Sequence, residues 1–190
     1  MNNRERWLIR AVRELTPLFD SIGLSVPKVQ VSVGFTSCGK NGRAIGECWP
    51  RKLAEGSENQ IFISPTLETP FEVLEVLTHE LIHAIDDCKH KHGKVFKNIA
   101  KDIGLIGPMR ATNAGPELSL ELSRIAKKLG DFPHRKLRVP PRRISTYVRP
   151  GGKCPKCEYR VPMLKLYLQF GAPLCPIHKV QMEEIGDWNK

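Results

Sequence analysis

One short string in the sequence has residue types and a spacing that suit metal-assisted hydrolysis. His79, Glu80 and His83 form the pattern His-Glu-x-x-His. On a helix, residues four apart project from the same face, so both imidazoles can reach one ion. Glu80 would lie beside them, where a carboxylate can take a proton from metal-bound water. We therefore predict a catalytic zinc site with ligands His79 and His83 and with Glu80 as general base.

A catalytic zinc ion needs a third protein ligand and leaves one position open for water. The side chains downstream that could supply this ligand are Asp86, Asp87, Cys88, His90 and His92. The glycine after His92 would let the backbone turn tightly against a metal centre. Spacing alone does not decide between His90 and His92.

A second set of metal ligands lies near the end of the chain. Cys154-Pro-Lys-Cys157 and Cys175-Pro-Ile-His178 each place two ligands three positions apart. Two such pairs predict a closed, tetrahedral structural zinc site. The alternative is a redox-active pair of Cys154 and Cys157, with Cys175 and His178 unrelated to it.

The cysteines outside this set have no ligand spacing, and we interpret them as free thiols: Cys38, Cys48 and Cys88. The charged N-terminus has no apolar stretch behind it, which predicts no secretion signal and a cytoplasmic protein. No apolar run approaches the roughly 18 residues of a membrane span, so we expect no membrane association.

The helix that would carry the first site has a strong start signal. Thr69 can cap it, Pro70 takes the first helical position, and Glu72 completes a capping box. Apolar periodicity predicts other elements, with helices over 4–22, 94–103 and 116–129 and strands over 29–35, 45–49 and 60–64. Pro17 should kink or split the first helix. The strands should form a small antiparallel sheet, giving an α+β fold.

The chain carries a net charge of +10, and this charge is concentrated in its second half. Residues 1–110 carry +2 and residues 111–190 carry +8, with +11 between 124 and 165. A segment with this much positive charge favours a polyanion such as DNA as the binding partner. The basic residues that we expect to neutralise phosphates are Arg135, Lys136, Arg138, Arg142, Arg143, Arg149, Lys153, Lys156 and Arg160. No base-reading motif is visible, so binding should be independent of DNA sequence.

Between the two C-terminal ligand pairs, basic, aromatic and apolar residues alternate over 159–168. This pattern suits a β-hairpin with a positive face. Exposed aromatic side chains there could stack on unpaired bases, but we expect Tyr167 or Phe170 to belong to the small core.

The string LTHELIHA at 77–84, followed by HGKVF at 92–96, resembles the SprT-like metalloprotease family, which includes the eukaryotic Spartan proteases. Segments 42–46 and 61–64 are similar to the sheet of that family. The resemblance covers roughly residues 5–130 and recurs in the C-terminal zinc ribbon. Residues 109–118 and 132–134 are similar to a compact subgroup from bacteria and their phages.

The resemblance implies a zincin-like domain over 1–130. The composition that follows, rich in proline and arginine, predicts a basic linker over 131–150, and the two C-terminal ligand pairs predict a zinc ribbon over 151–190. The resemblance also implies His92 as the third zinc ligand. The implied function is a zinc endopeptidase that acts on DNA-bound or DNA-crosslinked proteins and takes part in DNA–protein crosslink repair at the nucleoid. The alternative is a non-proteolytic, zinc-containing, transcription-associated protein that binds nucleic acid. A further alternative is a metalloprotease with no requirement for DNA.

Overall fold

The structure is a computed structural model that describes residues 3–39, 42, 44–140 and 146–188. Arg142 and Arg143, which we expect to contact DNA, lie outside the described residues. The chain divides into two compact units, Met1–Pro141 and Arg142–Lys190. Among the described residues, no helix is long and apolar enough to cross a membrane.

The first unit mixes helices with small sheets, which confirms the predicted α+β class. Its helices are α1 (Arg4–Asp20), α2 (Pro70–Ile85), α3 (Lys94–Asp102) and α4 (Pro116–Leu129), with a 3-10 turn at Arg51–Leu53. Its strands are β1 (Val29–Val33), β2 (Gly46–Trp49), β3 (Asn59–Ile63), β4 (Leu105–Ile106) and β5 (Asn113–Ala114).

Helix α2 lies at the centre of this unit. The side chain of Thr69 accepts a hydrogen bond from the backbone N–H of Glu72. In return, the Glu72 carboxylate accepts one from the backbone N–H of Thr69, so the predicted capping box is present. The helix packs against α1, α3, α4, β2 and β3, which buries Leu74, Leu77 and Leu81 completely. Burial on several faces fixes this helix and therefore the side chains that it carries.

The main sheet has the order β1-β3-β2 and is mixed, so our expectation of an antiparallel sheet is wrong. β2 pairs antiparallel with β3, but β1 pairs with β3 in parallel. The chain leaves β1, forms β2 on the far side of the sheet, and returns to place β3 between them. Alternating side chains identify the strands but do not set their partners or directions.

Helix α1 is continuous through Pro17, so the predicted split is wrong. Pro17 lies near the end of the helix, where its missing N–H removes one bond and the next turn still closes. The backbone N–H of Ser21 donates to Pro17 O at 3.0 Å. Trp7 ties the helix to α4, since its indole N–H donates to the backbone oxygen of Gly130 at 3.0 Å.

The segment after α4 contacts the first unit before the chain reaches the second. Phe132 is buried, and its ring meets that of Trp7 edge-on at a centroid distance of 5.0 Å. The imidazole of His134 and the backbone N–H of Leu137 both lie within hydrogen-bond distance of the backbone oxygen of Pro65. The first residues of the expected linker therefore belong to the packed surface of this unit.

The second unit is a small antiparallel sheet in the order β7-β6-β8, with strands at Gly151–Lys153 (β6), Arg160–Pro162 (β7) and Glu183–Ile185 (β8). Its buried hydrophobic side chains are Cys154, Ala172, Cys175 and Met182.

The hairpin predicted over 159–168 is wrong, because β7 pairs with β6 and Lys165–Phe170 forms a 3-10 helix. Tyr167 and Phe170 are 49% and 76% exposed, so neither is the core residue that we expected. The cysteines, Ala172 and Met182 fill the small interior, Trp188 packs against them, and the rings of Tyr167 and Phe170 lie outside.

Candidate metal centres

Two groups of side chains in the described part of the chain bring their ligand atoms within 4.8 Å of one another. The members of the first group are His79, His83 and His92, and those of the second are Cys154, Cys157, Cys175 and His178. Each group lies within one unit.

The three imidazoles of the first group meet through their Nε2 atoms. Nε2 of His92 lies 3.2 Å from Nε2 of His79 and 3.2 Å from Nε2 of His83. Two ligands about 2.05 Å from one tetrahedral ion would lie about 3.3 Å apart. The nitrogen positions therefore suit one shared metal ion, and three ligands leave a fourth position open.

Local structure selects His92 rather than His90 for this group. After α2, the imidazole of His90 turns away and contacts Asp86, with Nδ1 2.6 Å from Oδ1. The backbone N–H of His90 also donates to Asp86 Oδ2 at 2.7 Å. These bonds close the loop and leave the His90 side chain 56% exposed. Two positions later, His92 reaches back to the face of α2.

Asp87 and Cys88, which spacing also left open as ligands, have other partners. Oδ1 of Asp87 accepts from the backbone N–H of Arg51 at 3.0 Å and from Nδ2 of Asn59 at 3.2 Å. Sγ of Cys88 lies 3.3 Å from the backbone oxygen of Cys48. Both residues therefore fasten the loop after α2 to the segment around β2 and β3.

Two residues at this site were missed as site residues by sequence reasoning. Phe96 on α3 is completely buried, and its ring lies 4.5–5.0 Å from the centroids of all three imidazoles. Thr112 places Oγ1 2.8 Å from Nδ1 of His79. Phe96 had a signal in the H-G-x-x-F string, but Thr112 had none, because it lies far from the motif in sequence.

The electrostatics keep the imidazoles neutral at neutral pH. Burial, followed by the charges of His83 and His92, lowers the pKa of His79 to about 3. Burial and the charge of His92 lower the pKa of His83 to about 4, against an opposing effect of Asp86. Burial, followed by the charge of Arg110, also lowers the pKa of His92. Neutral rings offer the lone pairs that metal ligation requires.

Acid should therefore destabilise the metal-free protein. Unfolded histidines take up protons near pH 6.5, whereas folded His79 and His83 do so only near pH 3 and 4. As pH falls from 7 to 4, we expect each ring to lower the free energy of unfolding by about 3 kcal/mol. Urea denaturation followed by far-UV circular dichroism would measure this loss. The His83→Gln variant should lose less of its free energy of unfolding between pH 7 and pH 4. If its loss equals that of the wild type, the explanation is wrong.

Glu80 is buried beside the first group, with 5% of its surface exposed. Burial, followed by the charges of Cys88 and Glu47, raises its pKa to about 8, although the backbone N–H of Cys48 partly offsets this. A Cβ atom at Gly46 would lie 2.5 Å from Glu80 Oε1, so the glycine in β2 makes room for the carboxylate. A carboxyl group with a pKa near neutrality can both accept and release a proton.

The second group has the spacing of a thiolate site. Nδ1 of His178 lies 3.8 Å from Sγ of Cys154 and 3.8 Å from Sγ of Cys175. Sγ of Cys157 lies 3.8 Å from Sγ of Cys175. Two sulfur ligands about 2.3 Å from one tetrahedral ion would lie about 3.8 Å apart. All four predicted ligands are thus brought together, which does not fit an isolated redox pair.

The two ligand pairs fold into the same local structure. The backbone N–H of Glu158 donates to Cys154 O at 3.1 Å. In the other pair, the backbone N–H of Lys179 donates to Cys175 O at 2.9 Å. Glu158 and Lys179 have positive φ, 62° and 54°. The backbone N–H of His178 contacts the sulfur of Cys175 at 3.5 Å and, as the largest effect, lowers the pKa of that thiol to about 6. The turn therefore favours the thiolate that binds metal.

Among the basic residues expected to contact DNA, three lie in the described part of the first unit. Arg135, Lys136 and Arg138 are exposed. Nζ of Lys136 lies 3.0 Å from Oε2 of Glu68, in an ion pair at the surface. Arg135 and Arg138 thus present their charge to solvent after α4.

Four more of these residues lie in the second unit. Arg149, Lys156 and Arg160 are exposed. Lys153 is partly buried and pairs with Glu158, with Nζ 2.7 Å from Oε1. Arg149, Lys156 and Arg160 thus present their charge to solvent, near the first ligand pair in sequence.

The sequence model of the SprT-like family matches residues 14–132, more than half of the chain. The matched segment includes His79, Glu80, His83 and His92, and it ends before the second unit begins. No curated protein and no solved structure matches the chain.

Proposed function

The chain belongs to the SprT-like family, whose domain is of the metalloprotease type, and from this premise we propose that it is a zinc-dependent endopeptidase. We propose further that its substrates are proteins bound or crosslinked to DNA. The observation that carries the first proposal is the convergence of three Nε2 atoms at 3.2 Å contacts beside a buried glutamate. A purely structural site would not need a proton acceptor there.

The donor set fits zinc, because three neutral imidazoles are borderline ligands and leave a position open. When bound, zinc would polarise a substrate carbonyl and lower the pKa of water. Glu80 accepts the proton of the attacking water at a carboxylate oxygen and then delivers it to the leaving amine. Gly46 leaves room for this carboxylate, and the rings of His79, His83 and His92 are held against Phe96.

Strand β2 is a suitable place for an extended substrate to bind. In the described residues it pairs with β3 on one side, and its other edge has no strand partner. Gly46 brings this strand next to Glu80. A polypeptide that lies along this edge would run past the proton acceptor in an extended conformation, and backbone contacts read little of the side-chain sequence.

For DNA association we propose the basic residues of the segment after α4 and of the second unit, which we take as a linker over 131–150 and a zinc ribbon over 151–190. Exposed arginine and lysine side chains can neutralise phosphates without reading bases. Exposed Tyr159, Tyr167 and Phe170 add rings that can stack on bases. This surface would raise the local concentration of the protease where its substrates lie.

The proposal predicts cleavage that is stimulated by DNA and depends on the second unit. We expect the triple variant Arg149→Gln/Lys156→Gln/Arg160→Gln to bind DNA at least about tenfold more weakly. The slope of log binding constant against log salt concentration should become shallower by about 2 to 3. This variant should also cleave a basic, DNA-bound protein more slowly, because its DNA affinity is lower. Its cleavage of a peptide in the absence of DNA should be unchanged. Fluorescence anisotropy with labelled DNA at several salt concentrations, together with a gel-based cleavage assay, would measure both effects.

A matched control removes the same charge from exposed residues elsewhere, with Arg10→Gln, Arg13→Gln and Lys101→Gln. This variant should retain DNA-stimulated cleavage. Cleavage that is indifferent to DNA in the wild type would favour a metalloprotease without a DNA requirement. DNA binding with no cleavage at all would favour the non-proteolytic, transcription-associated alternative.

A further inference from the structure

One contact at the first metal centre comes from a loop that the motif does not include. Oγ1 of Thr112 lies 2.8 Å from Nδ1 of His79, across 33 positions of sequence. Nε2 of the same ring faces the other two histidines. If Nε2 is to offer its lone pair to a metal ion, the proton must reside on Nδ1, and the Thr112 oxygen must accept it.

The loop that carries Thr112 is itself fixed to α2. The carboxylate of Glu75 accepts from the backbone N–H of Ala114, with Oε1 2.6 Å from N. Glu75 lies one helical turn before His79, so the two side chains project from the same face of α2. Glu75 therefore holds the end of β5 against the helix, and Thr112, two residues earlier, meets the imidazole.

The hairpin of β4 and β5 supports this placement from its other side. Ile106 pairs with Asn113 and Leu105 with Ala114. The backbone N–H of Gly115 donates to Gly104 O at 2.8 Å, and a Cβ atom at Gly115 would lie 2.8 Å from that oxygen. The hairpin is therefore tightly closed next to Thr112.

We propose that Thr112 is a positioning residue of the metal centre, with Glu75 as the anchor of its loop. This role rests on the proposed zinc site, in which Thr112 would orient the ligand His79. Thr112 fixes both the tautomer and the angle of the His79 ring. In the described part of the chain, Nδ1 of His83 and Nδ1 of His92 have no comparable hydrogen-bond partner, so the contact at His79 carries this function.

The test compares Thr112→Val, which keeps the shape and removes the acceptor, with Thr112→Ser, which keeps the hydroxyl. In the full chain, chelator competition should show the histidine site of the valine variant binding Zn²⁺ about 10 to 100-fold more weakly. The serine variant should restore affinity to within about threefold of the wild type. The chain should bind one metal ion at the histidine site and one at the thiolate site. Titration with Co²⁺ distinguishes them, because only the thiolate site gives sulfur-to-metal charge-transfer absorption.

A second readout needs no metal. In the metal-free protein, ¹⁵N NMR of the His79 ring should show the proton on Nδ1 in the wild type and a mixture of tautomers in Thr112→Val. Thr16→Val is the matched control, since the Thr16 hydroxyl donates to Val12 O on α1 and should affect neither readout. Glu75→Leu should weaken Zn²⁺ binding in the same direction as Thr112→Val.

The outcomes separate this inference from the proposed function. Equal Zn²⁺ affinity in the wild type and in Thr112→Val, or failure of serine to restore it, would overturn the positioning role. An unchanged affinity in Glu75→Leu would overturn the anchor. A wild-type histidine site that binds neither Zn²⁺ nor Co²⁺ would instead overturn the proposed zinc endopeptidase, whatever the tautomer of His79.

Discussion

Replacing Glu80 with glutamine should lower kcat/KM about 10³-fold and leave Zn²⁺ binding at the three histidines unchanged. Glutamine has nearly the same shape, so it fits the space that Gly46 leaves beside the side chain. Its amide cannot accept the proton of the attacking water or deliver it to the leaving amine. The ligand nitrogens come from His79, His83 and His92, which the substitution does not touch.

Initial rates on a peptide and on a basic, DNA-bound protein would give kcat/KM, and chelator competition would give the Zn²⁺ affinity. Glu55→Gln is a suitable control, because Glu55 is an exposed glutamate in the same unit. It should retain both activity and metal binding. Activity of Glu80→Gln within tenfold of the wild type would exclude Glu80 as the general base.

The same variant should not fail through loss of fold. Burial raises the pKa of Glu80 to about 8, whereas an unfolded glutamate titrates near 4.5. Between these values the unfolded state has released a proton that the folded state still holds, so stability falls as pH rises through this window. Glutamine removes this penalty, and the metal-free variant should be at least as stable as the wild type at pH 7.

The elements that position the first site were predictable because their signals are local. Thr69, Pro70 and Glu72 specify the start of α2, and the i, i+4 spacing of His79 and His83 follows from helix geometry alone. Helix α4 begins at Pro116 and ends at Leu129 as predicted, since a proline and a glycine mark its two ends. The family assignment was predictable for the same reason, because it rests on contiguous strings.

Tertiary contacts were the part that the sequence did not reveal. β1 lies parallel to β3 because the intervening chain passes to β2, and strand periodicity contains no information about that route. Thr112 reaches the metal centre beside a hairpin of two-residue strands, which are too short for any periodicity, and Glu75 of α2 holds that hairpin in place. His92 displaces His90 because Asp86 captures the His90 ring, a choice between neighbours that spacing cannot make.

In the second unit, the ligand spacing was informative and the apolar pattern was misleading. The two ligand pairs meet as their sequence indicates, because each knuckle folds within five residues. Tyr167 and Phe170 look like core residues by type, but the buried hydrophobic cluster consists of Cys154, Cys175, Ala172 and Met182, with Trp188 packed against it. The unit is too small to bury all of its aromatic side chains.

Chelation of zinc should unfold the second unit and leave the helices of the first unit intact. Two of the four buried hydrophobic side chains in the second unit are ligands, Cys154 and Cys175, so metal binding and core formation are the same event there. Its strands are three residues long, and little apolar area supports them. Structural zinc contributes about 10 to 16 kcal/mol in comparable small domains, more than this interior can replace.

Two-dimensional ¹H–¹⁵N NMR of the full chain would measure this loss. With a strong chelator, amide signals from 151–187 should collapse to random-coil positions, while those of α1, α2, α3 and α4 keep their dispersion. The first unit has a continuous hydrophobic core around Trp7, Leu77 and Phe96, which does not depend on a metal ion. Addition of Zn²⁺ or Co²⁺ should restore the lost signals.

A genetic version of the experiment separates the zinc site from the redox alternative. Cys175→Ser should unfold the second unit even with zinc present, because it removes one of four ligands, whereas Cys38→Ser alters an exposed thiol outside both groups and should have no effect. A redox pair of Cys154 and Cys157 would tolerate Cys175→Ser and would ignore the chelator. A metal-free second unit that kept its dispersed signals would show that its few apolar contacts suffice, and the structural role of zinc would be wrong.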